Sequence, residues 1–299
     1  MPGPSGRPID RLWVLIEVAA VFAAVHVSYR AIKGFTVIGR WEGAAGTNFT
    51  PGVVMAVSTC AILLLTRKDF RAYGLSLDRW GEHLSLGLTC TLVEVAFGAF
   101  ALVISGYEFD ASRPPDPHST PDWRKLAVAA GILVAGWTIV LAMVSSRRRS
   151  VRGLPPLLSI ALIAAVAAVP PVVGTTLGKP FSCLTVLWLF FGAGFGEETF
   201  YRGYIQSRVD EAWGRPWRML GFEFGAGLLV SSFLFGLLHA LNTVDYFHGR
   251  YDFGWGMGIS SVFVGIYFGL IRTHTQSVLP GAIIHGLTDV LARLPNVLP

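Results

Sequence analysis

The feature that most restricts this chain is a succession of apolar runs, each close to the length that crosses a lipid bilayer. They fall near residues 12–31, 51–66, 84–105, 126–144, 157–175, 181 onward (running into an acidic stretch at 197–202 and on as an amphipathic helix to about 213), 222–240, 257–271 and 278–294. In lipid a helix satisfies its own backbone donors and acceptors, which is why such runs are read as spanning helices. About 20 residues cross the bilayer as a straight helix. Several runs are shorter, so the expectation is eight or nine spans. Composition agrees: 53% of the 299 residues are hydrophobic and 14% charged, against about 25% charged in soluble domains. The expected fold is all-α, a polytopic transmembrane helical bundle.

The formal net charge of +5 invites a nucleic-acid reading, which the placement of the charges opposes. Lys and Arg sit in short loops between apolar runs: Arg67-Lys68, Arg147 to Arg149 with Arg152, Arg208 to Arg218, and Arg272. That is how a multi-pass protein sets its orientation. It places the N-terminus inside and no nucleic acid among the partners. The first run is too long for a signal-peptide core and lacks a small-residue cleavage site, so it is expected to be retained. Cys60, Cys90 and Cys183 lie in apolar runs, an odd number without a zinc spacing, and read as packing residues. A polar, Gly-rich stretch is expected at 33–50, a polar loop at 106–122, and a break at Pro170-Pro171. The first 122 residues read as accessory helices and loops, and 123–299 as the core that carries the chemistry.

Ionisable residues inside apolar runs mark function by default. Glu17 and His26 interrupt the first run and are expected to face neighbouring helices; Glu94, mid-way in the third, is expected to be a packed, hydrogen-bonded or protonated carboxyl. His83, His118, His248 and His274 lie in connectors or at a run end and are expected to be solvated. The last third of the chain is denser. Glu197-Glu198-Thr199-Phe200-Tyr201-Arg202 ends a run containing Gly192, Gly194 and Gly196. On a helix, Glu198 and Arg202 share a face with the acid first, the favoured order for a pair. Glu197, about 100° round the helix, is left free. His239 follows Phe235 by one turn. His285 and Asp289 share a face.

Depth brings these motifs together. Glu197 precedes Val209 by roughly 18 Å at the α-helical rise, and His239 follows Phe222 by roughly 25 Å. If the two helices run antiparallel, the two groups meet within about a turn. A free carboxylate facing imidazoles suits water activation.

Glu197-Glu198-x-x-x-Arg202, Phe235-x-x-x-His239 and His285-x-x-x-Asp289 resemble, in order and spacing, the motifs of the CAAX prenyl protease and bacteriocin-processing family, the glutamate-dependent intramembrane proteases. The Gly-rich stretch 265–277 before the last motif resembles it too, so the likeness covers about 181–294. The resemblance implies an intramembrane endopeptidase acting on a peptide or protein substrate in the bilayer. It implies that Glu197 activates the water, that His239 assists, and that His285 and Asp289 stabilise the oxyanion. Glu198 and Arg202 would be a structural ion pair. Many members have asparagine where Asp289 stands. The family is also described as metalloproteases. Metal-free catalysis is preferred here, the alternative being zinc held by Glu197, His239 and His285. No His-Glu-x-x-His is present, so the site-2 metalloprotease pattern is absent. Two other readings remain: an inactive scaffold or immunity protein of the same fold, and a proton-coupled transporter, for which no repeat is seen. The expected location is a bacterial cytoplasmic membrane.

Overall fold

The computed structural model describes residues 8–105, 122–146, 153–179 and 181–294. Pro114 to Pro117, His118, Arg147 to Arg149 and Arg152 lie outside them. The described chain is a helical bundle. In order it runs α1 (Pro8–Phe35), α2 (Val37–Ala45), α3 (Phe49–Leu65), α4 (Trp80–Ser105), α5 (Trp123–Ser146) and α6 (Pro156–Thr176). A composite helix follows: α7 (Cys183–Leu187), two π-helical segments (Trp188–Glu197 and Thr199–Gln206), and α8 (Ser207–Trp213). A β-hairpin, β1 (Trp217–Met219) and β2 (Phe222–Phe224), precedes α9 (Ala226–Leu241), α10 (Trp255–Thr275) and α11 (Leu279–Leu291).

Five of these helices are long and apolar enough to cross a membrane: Asp10–Phe35, Trp80–Ser105, Arg124–Ser146, Pro156–Thr176 and Trp255–Thr275. Three shorter apolar helices, Phe49–Leu65, Ala226–Leu241 and Leu279–Leu291, lie among them. The chain is an integral membrane protein, with many large apolar side chains exposed along the helices, Leu65, Val103 and Leu157 among them.

Several boundaries depart from the sequence reading. The 33–50 stretch is mostly helical. Thr36 starts α2 by accepting a hydrogen bond from the Ile38 backbone (3.2 Å), and Gly46 ends it in the left-handed region. Pro170 and Pro171 do not stop α6, which continues to Thr176. Transmembrane helices tolerate proline where local adjustment satisfies the freed groups. The seventh run does not open as helix. Met219 pairs with Phe222 across a Leu220-Gly221 turn, and both turn residues have positive φ, the backbone a two-residue hairpin needs. Helix α9 therefore starts at Ala226, which puts His239 roughly 20 Å along it, nearer the depth reckoned for Glu197.

Polar residues also move. His83, expected in solvent, is buried in the first turn of α4. Arg272, expected as a loop cation, is buried and donates to the Ala72 carbonyl (3.2 Å) and Ser207 Oγ (3.0 Å). Cys90 is buried and Cys60 half-buried as expected of packing residues, but Cys183 is exposed.

The packing order explains where the site lies. The first π segment is sandwiched between α3 and α11, α11 also packs on α4, and α9 packs along α10. One core cluster joins Val14, Val18, Phe22 and Tyr29 of α1 to Phe200, Tyr201, Phe235 and Leu238. A second joins α4, α5, α10 and Ile284 of α11.

Candidate active site

The site begins with backbone contact. A Cβ on Gly52 would lie 2.0 Å from the Gly192 carbonyl oxygen, and one on Gly196 would lie 2.5 Å from Gly52 Cα. On the opposite side, a Cβ on Gly194 would lie 2.9 Å from Gly286 Cα. Glycine at these positions lets α3 and α11 close on the composite helix, and the α11 contact seats His285 beside it. The helix here is π-wound, a conformation with i→i+5 bonds that tends to occur at functional sites. Residue spacing predicts an α-helix here, and the closely spaced glycines are the sequence sign of a departure.

Glu198 lies between the two π segments. Its Oε1 accepts from Arg202 Nη1 at 2.9 Å, and both side chains are essentially inaccessible (1% and 0%). Arg202 Nη2 also donates to the Gly265 carbonyl at 3.3 Å. The guanidinium carbon stands 4.4 Å from the Phe235 ring centroid and 5.4 Å from that of Phe268. A planar, weakly hydrated cation is the one that tolerates such burial.

The same Glu198 Oε1 lies 3.1 Å from His285 Nδ1, and His285 Nε2 lies 3.6 Å from Asp289 Oδ2. His285 is thus held between two carboxylates. Its ring stacks on Phe268 at 5.2 Å and meets the Phe235 ring edge-on at 5.9 Å. The pairing of Glu198 with Arg202 agrees with the sequence reading. The bond from Glu198 to His285, 87 residues away, was beyond it, as were Phe268 and Gly265.

His239 sits in the last turn of α9, half-buried. Its Nδ1 is 2.9 Å from the Phe235 carbonyl oxygen. A carbonyl only accepts, so Nδ1 carries a proton, and in the neutral ring Nε2 keeps a lone pair. The Phe235 ring lies 4.5 Å from the His239 ring, so both imidazoles flank one phenyl group. Glu197, the neighbour of Glu198, has a buried Oε2 without a hydrogen-bond partner. No hydrogen bond joins Glu197 to His239 among the described residues.

The geometry links Glu198, Arg202, His285 and Asp289 directly, sets His239 beside them across Phe235, and leaves Glu197 free. Of the other groups singled out, Glu17 and His26 face neighbouring helices as expected: Glu17 binds Tyr204 and Arg208, and His26 binds Tyr246. Glu94 accepts from Trp137 Nε1 at 3.2 Å. His248 lies exposed beside Asp245.

Residues 179–291 match the family model described as type II CAAX prenyl endopeptidase Rce1-like. Over that stretch the chain is similar to that peptidase family. No curated protein and no solved structure matches significantly. The matched stretch contains all three motifs and every candidate residue of the site. Among the described residues no three His, Cys, Asp or Glu side chains are grouped to hold a metal; His285 Nδ1 is bonded to Glu198, while its Nε2 stands 3.6 Å from Asp289 Oδ2, beyond a hydrogen bond.

Proposed function

We propose that this protein is an intramembrane endopeptidase in which Glu197 is the general base. The observation that carries the reading is the buried, unpartnered Oε2 of Glu197 beside a carboxylate already paired with Arg202 and His285. An uncompensated buried acceptor costs about 1–3 kcal/mol, more if charged. A site retains one where a reacting group will meet it.

In the proposed reaction Glu197 takes a proton from a water molecule, and the water oxygen attacks the scissile carbonyl carbon. His239 accepts the second water hydrogen on Nε2 and so orients the attack. His285 and Asp289 stabilise the oxyanion of the tetrahedral intermediate. Glu197 then passes its proton to the leaving nitrogen as the C–N bond breaks, which leaves an amine and a carboxylic acid. Glu198 and Arg202 act as the structural pair that fixes His285.

The proposal includes metal-free chemistry, an eight- or nine-span topology with the N-terminus inside a bacterial cytoplasmic membrane, and accessory helices over 1–122 serving a core at 123–299. The substrate is a membrane-associated or C-terminally processed protein. The test compares membrane-peptide cleavage products in cells with the wild-type chain and cells with Glu197→Gln. A peptide bond cut only by the wild type is expected. Identical product sets would favour an inactive scaffold or a transporter.

A further inference from the structure

Helix α1 lies outside the matched stretch 179–291, yet its polar side chains bond to both helices that carry the proposed water-activating pair. Its buried stripe is Val14, Val18, Phe22, Val25 and Tyr29. At about 100° per residue, Glu17 falls on one flank of that stripe and His26 and Arg30 on the other.

The Glu17 flank grips the composite helix that bears Glu197. Glu17 Oε1 accepts from Tyr204 Oη at 2.9 Å, and Glu17 Oε2 accepts from Arg208 Nη2 at 2.7 Å. Near the start of α1, Arg11 Nε donates to the Ala212 carbonyl at 3.3 Å. The opposite flank grips the end of α9, where His239 sits. Arg30 Nη2 donates to the Leu241 carbonyl at 2.5 Å. Leu241 is the last residue of α9, and its carbonyl, one of the four with no intrahelical donor, also accepts from the Val244 backbone N–H at 3.1 Å, so Arg30 adds a second, charged donor. A cation is favoured there by the helix dipole. His26 is buried, with Nδ1 2.8 Å from Tyr29 Oη and Nε2 3.0 Å from Tyr246 Oη. Tyr246 lies in the turn that follows α9.

We propose that α1 is a strap for the active site, and that Arg30 and His26 are positioning residues that hold the His239 end of α9 in register with Glu197. This rests on the peptidase reading above. Among the described residues no hydrogen bond joins the Glu197 and His239 side chains; near them the two helices meet through Phe235, which packs on Tyr201 at 5.1 Å and under the Arg202 guanidinium at 4.4 Å, and the backbone bond from Gly227 to Asp210 lies at the other end of α9. A third element bonded to both fixes their separation. A misplacement of about 1 Å can cost on the order of 100-fold in rate, so the strap acts on turnover more than on binding.

The experiment uses the full chain in liposomes with a membrane peptide that the wild type cuts and Glu197→Gln does not. Arg30→Met and His26→Phe are expected to lower kcat at least about tenfold, with KM changed less than about twofold and the unfolding midpoint nearly constant. Arg30→Lys, which can still donate to Leu241, is expected to recover most of the turnover. Wild-type kcat in Arg30→Met, or a loss that follows the fraction folded, would overturn the proposal. A second measurement does not need a substrate. Spin labels on Phe191 and Asn242, both exposed, are placed in a variant whose three native cysteines are alanine. Arg30→Met is expected to broaden their distance distribution, and an unchanged distribution would overturn the strap. If the wild type cuts nothing, the peptidase reading fails, and this distance measurement still decides whether α1 holds the two helices in register.

Discussion

Removing Glu198 while leaving Arg202 in place is the perturbation whose consequence the structure sizes best. The pair is 2.9 Å long and inaccessible to solvent on both sides. In Glu198→Ala the guanidinium retains the Gly265 carbonyl at 3.3 Å and the faces of Phe235 and Phe268. A desolvated cation–π contact is worth about 2 kcal/mol and does not replace a counter-charge. Breaking a buried pair by removing one partner costs about 3–5 kcal/mol. His285 Nδ1 loses its acceptor as well, a further cost of about 1–3 kcal/mol. Against a total stability of about 5–15 kcal/mol, the loss is a third or more.

Thermal unfolding in detergent, followed by tryptophan fluorescence, should show a midpoint lower by on the order of 10 °C. The decisive control is Glu198→Leu with Arg202→Met, which removes both charges and keeps apolar volume. Replacement of a whole buried pair is often neutral, so the double variant should unfold well above Glu198→Ala while remaining inactive, because His285 has lost its anchor. A Glu198→Ala midpoint within about 2 °C of wild type, or a double variant no better than the single, would refute the assignment of this pair as structural.

What could be read in advance was local. The Glu198–Arg202 and His285–Asp289 pairings follow from residues four apart on one helix, and both are present at 2.9 and 3.6 Å. Five long apolar helices follow from hydropathy. What could not be read depends on contacts between elements far apart in sequence. The glycines at 192, 194 and 196 look like helix breaks until Gly52 and Gly286 are brought against them. The bond from Glu198 to His285 exists only because α11 closes on that surface. The β-hairpin was hidden because Phe222 and Phe224 continue the apolar run that becomes α9, and the Leu220-Gly221 turn is the single sign of it. His26 stands out as a polar residue in an apolar run, but its partner Tyr246, and Leu241 that meets Arg30, lie more than two hundred residues on.

Glu197→Gln should fold and elute as the wild type does while losing cleavage, since the amide keeps the shape and cannot take the proton; near-full activity on a peptide cut by the wild type would remove Glu197 from the role of base. Gly52→Val should abolish the folded peak in size-exclusion chromatography, because its Cβ would meet the Gly192 carbonyl at 2.0 Å, whereas Gly43→Ala, with nothing near it, should be tolerated. In the loop after α9, the hydrogen bond from Arg250, with help from His248, holds the Asp245 carboxyl down to about 2. A depressed carboxyl stabilises the fold above its unfolded value of about 3.9 and loses that contribution as pH falls through the folded value. The protection factor of the Arg250 amide, the exchange rate of the unstructured amide at the same pH divided by its own, should therefore hold constant from pH 8 to about 4 and fall only below, and a fall near pH 6 would contradict the pairing. Asp289 decides how the oxyanion is held. It stands 3.6 Å from His285 Nε2, and an ionised carboxylate there would repel a developing oxyanion. It therefore serves either as a neutral donor or as the acceptor that orients the imidazole. An amide can fill either role, since it both donates and accepts, so Asp289→Asn should keep substantial activity. Asp289→Leu can fill neither, and should lose on the order of 100-fold in kcat, as removal of one oxyanion donor does. Both variants are assayed on one cleavable peptide across pH. An active Leu variant beside an inactive Asn variant would mean that Asp289 neither donates to the oxyanion nor orients His285.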